Sequence, residues 1–208
     1  MTAGGINPSE VINIANKHPR VNILNPGCGV GGHCIAVDPW FLIETFPEQT
    51  DLLKSARKVN NKKPEQVIEN VLNFVEKIKI NKNERAKVFV LGLAFKPNVD
   101  DLRESPALSI ATKLKSKNSI LDLAVCEPNI VSDKLKSIGF SNVMGLLEGV
   151  RWADVILVLV KHNEFLTLKD LVLDDYLIID TCGLLNKIKE AKNDCDFLNK
   201  CAVGELNI

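Results

Sequence analysis

The sequence predicts an α/β protein, in which a helical N-terminal segment is followed by a doubly wound parallel sheet. Over residues 1–85, prolines and apolar residues at three- and four-residue spacing indicate helices. From residue 86 onward, short apolar runs alternate with helical stretches, as in strands joined by crossover helices. The composition is globular, with 46% hydrophobic and 25% charged residues among 208. We therefore divide the chain into a helical segment, 1–85, and an α/β domain, 86–208.

The helical segment is predicted to contain three helices. Pro8 opens a short helix that extends to about Lys17, and residues 52–61 form a second helical stretch. Pro64, at a first-turn position, is predicted to begin the third helix. The apolar faces of the segment exceed what so short a stretch can cover, so we expect it to form a homodimer with a second copy of the chain. These faces include Ile12, Ile14, Val67, Val71, Phe74 and Val75.

The α/β domain begins with the continuous apolar run 88–94, which is typical of a buried parallel strand. Ser105 and Pro106 then provide an N-cap and a first-turn proline for a helix that extends to about Lys117. His162 follows another apolar strand and is interpreted as a structural loop residue. Further strands are predicted at 119–126, 155–160 and 176–180, and further helices near 130–138 and 163–172.

Charge and cysteine usage exclude several classes of protein. Lys plus Arg and Asp plus Glu both number 26, so net charge favours neither nucleic acid nor an acidic membrane surface as a partner. No apolar run approaches the roughly 18–20 residues of a membrane span, and the first residues lack the pattern of a secretory signal. The six cysteines include no C-x2-C pair, so no metal site is predicted. We expect a cytoplasmic protein.

A glycine-rich loop matches the dinucleotide pattern G-x-G-x-x-G at Gly27, Gly29 and Gly32. That pattern binds a dinucleotide when a strand precedes it and a second strand follows its helix. Here Pro26 precedes the first glycine, and residues 42–61 are helical. The glycines are better explained by close approach of the backbone to a ligand, or by a loop that folds beside a reactive group.

The candidate reactive group is Cys34, which follows this loop. A thiol on a turn that leads into a helix can be activated by the helix amides, which favour the thiolate. Asp38 lies one helical turn later, so its carboxylate can face the same side as the thiol. The alternative is a buried cysteine beside a capping aspartate. Spacing alone favours neither interpretation.

Two blocks of the sequence resemble a known family. GVGGHCIAVDPWF, residues 29–41, is similar to the catalytic-cysteine segment of the UDP-glucose/UDP-mannuronic acid dehydrogenase family. LGLAFKPNVDDLRESP, residues 91–106, is similar to the opening of that family's UDP-binding domain. His18, Arg20 and the run 33–40 point to the N-acetyl-mannosamine branch. The resemblance covers nearly the whole chain and implies that the sheet is a Rossmann-like UDP-binding domain.

The resemblance also implies a reaction, a cofactor and a set of site residues. Such enzymes oxidise the C6 hydroxyl of a UDP-sugar to a carboxylate with two NAD+ and water. Cys34 would capture the intermediate aldehyde as a thiohemiacetal, which becomes a thioester, and Asp38 would position or activate the hydrolytic water. The resemblance implies that His18, Arg20 and Gly31 contact the substrate, with His18 and Arg20 near a dimer interface. It implies UDP contacts for Phe95 and Lys96. It implies an NAD contact for Arg103.

The sequence also departs from this family. The family's N-terminal NAD domain, and a central-helix lysine and asparagine, have no counterpart in these 208 residues, so we expect the chain alone to be inactive. Cys28 replaces a proline, and Cys182 and Asn186 replace basic residues, which predicts weaker UDP binding. The leading hypothesis is the UDP-binding, dimerising part of an NAD-dependent dehydrogenase. The alternatives are a non-catalytic nucleotide-sugar binding or assembly module, and one half of a split enzyme completed by a separate NAD-domain chain.

Overall fold

The structure, a computed structural model, describes residues 8–82, 84–171 and 176–185. Asn186 lies outside these residues. The helices and strands of the described residues, in chain order, are α1 (Pro8–Ala15), α2 (Asp38–Thr45), α3 (Asp51–Lys82), β1 (Ala86–Leu91), α4 (Pro106–Lys115), β2 (Leu121–Cys126), α5 (Ser132–Ser137), α6 (Leu146–Trp152), β3 (Val155–Val158), a 3₁₀ helix (Asn163–Asp170) and β4 (Leu177–Asp180).

The sheet has four strands in the order β2-β1-β3-β4, and every neighbouring pair is parallel. Alternate residues of β1 supply two cores on opposite faces of the sheet. Val88 and Val90 join the core that α3 and α4 cover, whereas Phe89 and Leu91 join the core that α6 and the 3₁₀ helix cover. Burial on both faces explains the continuous apolar run of the sequence. The predicted α/β fold with a doubly wound parallel sheet is confirmed.

The prediction that Pro64 begins a new helix is wrong. It lies inside α3, which runs without a break from Asp51 to Lys82. An interior proline removes one helical hydrogen bond, at a cost of roughly 3 kcal/mol. Apolar residues on the second half of α3 offset that cost, because they are buried against the α/β domain. They are Val67, Ile68, Val71, Val75 and Ile78.

The same packing corrects the expected apolar surface of the helical segment. Val67, Val71 and Val75 are at most 3% exposed and Ile12 is 9% exposed, so these faces are covered within one chain. The exposed apolar surface lies instead around α1, the loop that follows it, α2 and the first half of α3. Its members include Ile14, Leu24, Ile35, Trp40, Phe41, Leu42, Phe46, Leu52 and Val59. The second half of α3 packs against the α/β domain. The division of the chain at residue 85 therefore stays a prediction.

One helix of the α/β domain was not predicted. α6 packs closely on β1, because Gly149 has no side chain where the ring of Phe89 lies. Residues 163–170 form a 3₁₀ helix rather than an α-helix. No helix in the described part of the chain has the length and apolarity needed to cross a membrane.

Candidate functional site

The candidate site lies where β1, β2 and β3 reach their carboxyl ends. Because the strands are parallel, these ends meet at one edge of the sheet, which is where such folds bind ligands. The segment that follows β1 carries Phe95, which is half-buried, and Lys96, which is exposed. The Nζ atom of Lys96 lies 5.4 Å from the centroid of the Phe95 ring. The resemblance assigned both residues to UDP, and both lie at the ligand-binding edge.

The glycine-rich loop packs directly against this segment. A Cβ atom on Gly31 would overlap the carbonyl oxygen of Glu104 and lie 2.6 Å from Cδ of Pro106. Gly32 adopts φ +92°, and a Cβ there would lie 2.8 Å from Cε2 of Phe95. Glycine is therefore required because the two backbones approach closely. The fold brings together the two blocks on which the resemblance depends.

Two side chains of α3 hold the other side of the loop. The amide of Asn60 makes paired bonds with Val30, accepting from its N–H at 2.8 Å and donating to its carbonyl at 3.1 Å. Arg57, which is 9% exposed, donates to the carbonyl of Ile35 at 3.4 Å and lies 6.0 Å from the centroid of Trp40. These contacts fix the backbone on both sides of Cys34.

Cys34 is exposed, which contradicts the alternative of a buried cysteine. Its Sγ atom lies 2.9 Å from Nδ1 of His33. Its carbonyl accepts from the N–H groups of Val37 and Asp38, at 3.0 and 2.8 Å. α2 begins only at Asp38, so the partner of the thiol is an imidazole rather than a helix amide. α2 has no side-chain cap, and Asp38 and Cys34 line one shallow depression.

The other described cysteines differ from Cys34 in their chemistry. Burial raises the pKa of Cys28 to about 11, and it also raises the pKa of Cys126 to about 11. Burial is likewise the main cause of the raised pKa of Cys182. A thiol needs its thiolate form to act as a nucleophile. Of the four described cysteines, only Cys34 is exposed, so it is the candidate nucleophile.

Arg103 is exposed and forms an ion pair with Asp101, in which Nη2 lies 2.6 Å from Oδ2. The hydrogen bond from the Arg103 side chain is the main cause that lowers the pKa of Asp101 to about 2. The pKa of Arg103 is raised, mainly by its bond to Asp101, with a smaller contribution from Cys34. The segment that carries Arg103 packs against the glycine-rich loop, because Glu104 and Pro106 lie close to Gly31.

His18 and Arg20 lie in an exposed turn after α1. The backbone N–H of Arg20 donates to Nδ1 of His18 at 3.3 Å, and the backbone bonds of His18 join it to Ala15 and Val21. These bonds stay within the turn. The roles of His18 and Arg20 stay predictions.

A buried polar pair was missed by the sequence analysis. Glu127 directly follows β2 and is 5% exposed, and His162, after β3, is fully buried. Nε2 of His162 lies 3.1 Å from Oε2 of Glu127. Burial raises the pKa of Glu127, but hydrogen bonds from His162 and from backbone N–H groups outweigh it, so the pKa is lowered. The available signal was that both residues follow buried strands whose carboxyl ends meet at one edge.

The glycine-rich loop does not have the surroundings of a dinucleotide site. No strand precedes the glycine-rich loop within the described chain, so the unit of strand, loop and helix that cradles a pyrophosphate is missing there. Arg103 is the one residue proposed to contact NAD. The described residues also contain no group of three or more His, Cys, Asp or Glu side chains that could hold a metal ion.

Comparison with protein families agrees with this arrangement of site and fold. Residues 1–62 match the central domain of the UDP-glucose/GDP-mannose dehydrogenase family. Residues 89–187 match the UDP binding domain of the same family. The chain belongs to this family, whose members are nucleotide-sugar dehydrogenases.

Curated relatives narrow the similarity within the family. A UDP-N-acetyl-D-mannosamine dehydrogenase from Campylobacter jejuni is 50% identical over 163 residues, which cover 77% of this chain and 39% of the relative. A UDP-N-acetyl-D-mannosamine dehydrogenase from Escherichia coli (strain K12) is 45% identical over 183 residues, which cover 86% of this chain and 43% of the relative. The chain thus spans about two fifths of the length of the curated relatives it matches.

Solved structures of UDP-N-acetyl-mannosamine dehydrogenases also match the fold of this chain. The structure of a UDP-D-ManNAc dehydrogenase from Pyrococcus horikoshii matches with a TM-score of 0.71 and 32% identity, covering 88% of this chain and 42% of that one. A UDP-N-acetyl-mannosamine dehydrogenase from Staphylococcus aureus matches with a TM-score of 0.65 and 36% identity, covering 88% and 41%.

Proposed function

We propose that this chain is the part of an NAD-dependent UDP-N-acetyl-D-mannosamine 6-dehydrogenase that binds the UDP-sugar and carries the nucleophilic cysteine. The observation that carries the proposal is the packing of the exposed Cys34 loop against the segment of Phe95 and Lys96. One nucleotide sugar can then contact both, with its UDP at the strand ends and its sugar toward the thiol. The mannosamine relatives support the choice of sugar.

UDP binding is proposed to depend on the segment after β1. Lys96 would donate charge-assisted hydrogen bonds to the diphosphate, and such bonds are roughly twice as strong as neutral ones. Phe95 would offer its ring beside the same ligand. Gly31 would let the loop backbone approach the sugar, since its lack of a side chain already allows the close contact with Glu104.

The proposed chemistry at Cys34 begins with the C6 aldehyde of the sugar. Nδ1 of His33 accepts the thiol proton while sulfur forms a bond to C6. The carbonyl electron pair moves to oxygen, which is then protonated to give the thiohemiacetal. NAD, when bound, accepts hydride in the oxidative steps, and Arg103 would contact it. Asp38 lines the same depression as Cys34 and would orient the water that hydrolyses the thioester.

A homodimer through residues 1–85 is part of the proposal. The supporting observation is the exposed apolar surface around α1 and α2, which includes Phe41 at 67% and Leu24 at 74% exposure. In this assembly His18 and Arg20 would contact substrate in the partner's site. Light scattering should report twice the 23.0 kDa chain mass. A monomer at micromolar concentration would refute the dimer and the roles of both residues.

A second candidate is a non-catalytic nucleotide-sugar binding or assembly module, or one half of a split dehydrogenase with a separate NAD-domain chain as partner. It is favoured by the glycine-rich loop, which no strand precedes within the described residues. Both candidates predict UDP-sugar binding. In a non-catalytic module Cys34 takes no part in chemistry, whereas in a split dehydrogenase Cys34 reacts once the separate NAD-domain chain is bound.

Titration calorimetry with UDP tests the shared part of the proposal. Lys96→Ala should weaken binding about 10- to 150-fold, the effect of losing one charge-assisted hydrogen bond. Lys117→Ala is the matched control, because this exposed lysine follows α4 at the opposite edge of the sheet. Equal UDP affinity in the wild-type chain and in Lys96→Ala would refute the assignment of Lys96.

A further inference from the structure

We propose that Glu127 and His162 form a positioning pair, which holds the segment 95–97 in the conformation that binds the diphosphate of UDP. This inference rests on the proposed function. The two side chains come from the ends of different strands, β2 and β3, and meet under the segment that follows β1. Neither is proposed to touch the ligand. Both act through the backbone that carries Phe95 and Lys96.

Glu127 fixes the start of the segment. Its Oε2 atom accepts from the backbone N–H groups of Leu93 and Ala94, at 2.7 and 3.0 Å. Its Oε1 atom accepts from the N–H of Asn129 at 3.1 Å. An isolated buried carboxylate would be costly, but this one is surrounded by donors. The carboxylate of Glu127, just after β2, therefore fixes the position of the first turn after β1.

His162 fixes the end of the segment. Its Nδ1 atom accepts from the backbone N–H of Asn98 at 3.0 Å and faces the side-chain amide of Asn129 at 2.9 Å. Because an N–H points at Nδ1, that atom is unprotonated, and Nε2 carries the proton donated to Glu127. The imidazole thus has one defined tautomer, in which Nδ1 accepts from Asn98 and Nε2 donates to Glu127.

The two anchors bracket the residues proposed to bind UDP. Ala94 is bound to Glu127 and Asn98 to His162, and the three residues between them include Phe95 and Lys96. Asn98 adopts φ +59°, a conformation uncommon for a residue other than glycine. Its Oδ1 atom accepts from the N–H of Asn163 at 2.9 Å, which ties the segment to the start of the 3₁₀ helix. The direction in which Lys96 leaves the backbone therefore depends on the buried pair.

A double-mutant cycle separates positioning from simple stabilisation. The variants are His162→Gln, Lys96→Ala and their combination, and the measurement is the calorimetric affinity of the full 208-residue chain for UDP. If His162 acts by placing Lys96, its replacement costs about tenfold in the wild-type background and almost nothing once Lys96 is gone. Independent effects would instead multiply, and that result would overturn the proposal.

A gentler variant covers the case in which His162→Gln does not fold. Asn129→Asp keeps the size of the side chain but replaces its amide with a carboxylate facing Nδ1. The carboxylate favours a proton on Nδ1, so the N–H of Asn98 loses its acceptor while Glu127 and His162 stay in place. UDP affinity should fall about tenfold here too. Unchanged affinity in Asn129→Asp would overturn the proposal.

The matched control is a bond between strands at the far edge of the sheet. Asp154, which directly precedes β3, accepts from the backbone N–H of Lys87, which lies near the start of β1, at 2.8 Å. Asp154→Asn should lower the melting temperature without changing UDP affinity. If the wild-type chain does not bind UDP, the proposed function fails and the positioning role fails with it. If the wild-type chain binds UDP through Lys96 but a folded His162→Gln variant or Asn129→Asp leaves the affinity unchanged, only the positioning role is overturned.

Discussion

The thiol of Cys34 and the imidazole of His33 lie against each other, with 2.9 Å between Sγ and Nδ1. Neighbouring side chains in a regular strand or helix point in different directions, so this contact depends on the irregular turn after the glycine-rich loop. The turn is held by Asn60 on one side and by Gly31 and Gly32 on the other. Packing against the α/β domain thus pairs an imidazole with the candidate nucleophile.

The first prediction follows from this contact. His33→Gln should slow the alkylation of Cys34 by iodoacetamide at neutral pH by at least about tenfold, because the thiol loses the group that accepts its proton. Peptide mass spectrometry measures labelling at Cys34, and Cys34→Ser gives the background. Equal labelling rates with and without the imidazole would show that the contact has no effect on reactivity.

The second prediction concerns the close approach of the two blocks. Gly31→Ala should lower the free energy of unfolding by roughly 1–3 kcal/mol, since the added methyl overlaps backbone that cannot easily move. Gly145→Ala is the matched control, because nothing lies within 4 Å of its added Cβ and its φ of −66° suits alanine. Denaturant unfolding measures both. Comparable effects at the two positions would contradict the packing at Gly31.

The third prediction is a pH dependence. The pKa of Glu127 is lowered on folding, so its contribution to stability is full above the ordinary glutamate pKa and is lost as pH falls through the lowered value. Glu127→Gln should therefore be less stable than the wild type at neutral pH, and the difference should shrink as the solution is acidified. Melting temperatures across this range measure the effect. If the difference in melting temperature between the wild type and Glu127→Gln grew as the pH fell, the prediction would be contradicted.

The fourth prediction concerns turnover. A polypeptide of these 208 residues should form no NADH from UDP-N-acetyl-D-mannosamine and NAD+, because within its described residues no strand precedes the glycine-rich loop that matches the dinucleotide pattern. The near-ultraviolet absorbance of NADH is the measurement. A steady increase in the wild type that Cys34→Ser abolishes would contradict this prediction.

Local patterns predicted most of the fold. The four strands are mostly apolar runs, and β3 is buried throughout. Ser105 caps α4 as expected, accepting from the N–H of Leu108 at 3.2 Å. Pro64 misled the prediction because the helix-breaking tendency of proline is local, whereas the burial of Val67 and Val71 is tertiary. Sequence patterns also could not reveal that Phe89 needs a glycine opposite it in α6.

The candidate site was predicted in part. Cys34, Phe95 and Lys96 lie in blocks that the sequence identifies, and the structure places these blocks side by side. The pair of Glu127 and His162 was not foreseen, because its members are 35 residues apart in sequence. Only the strand order makes them neighbours. His18 and Arg20 stay predictions, because the hydrogen bonds of these residues lie within the turn after α1.

Protection of Cys34 by nucleotide sugar tests the central claim most directly, because it requires both blocks to contact one ligand. With UDP-N-acetyl-D-mannosamine at a concentration that calorimetry shows to be saturating, alkylation of Cys34 should slow markedly. UDP alone should protect less, since it has no sugar to reach the thiol, and Lys96→Ala should lose protection at the same ligand concentration. An unchanged alkylation rate at saturation would contradict the proposal that the sugar lies at Cys34.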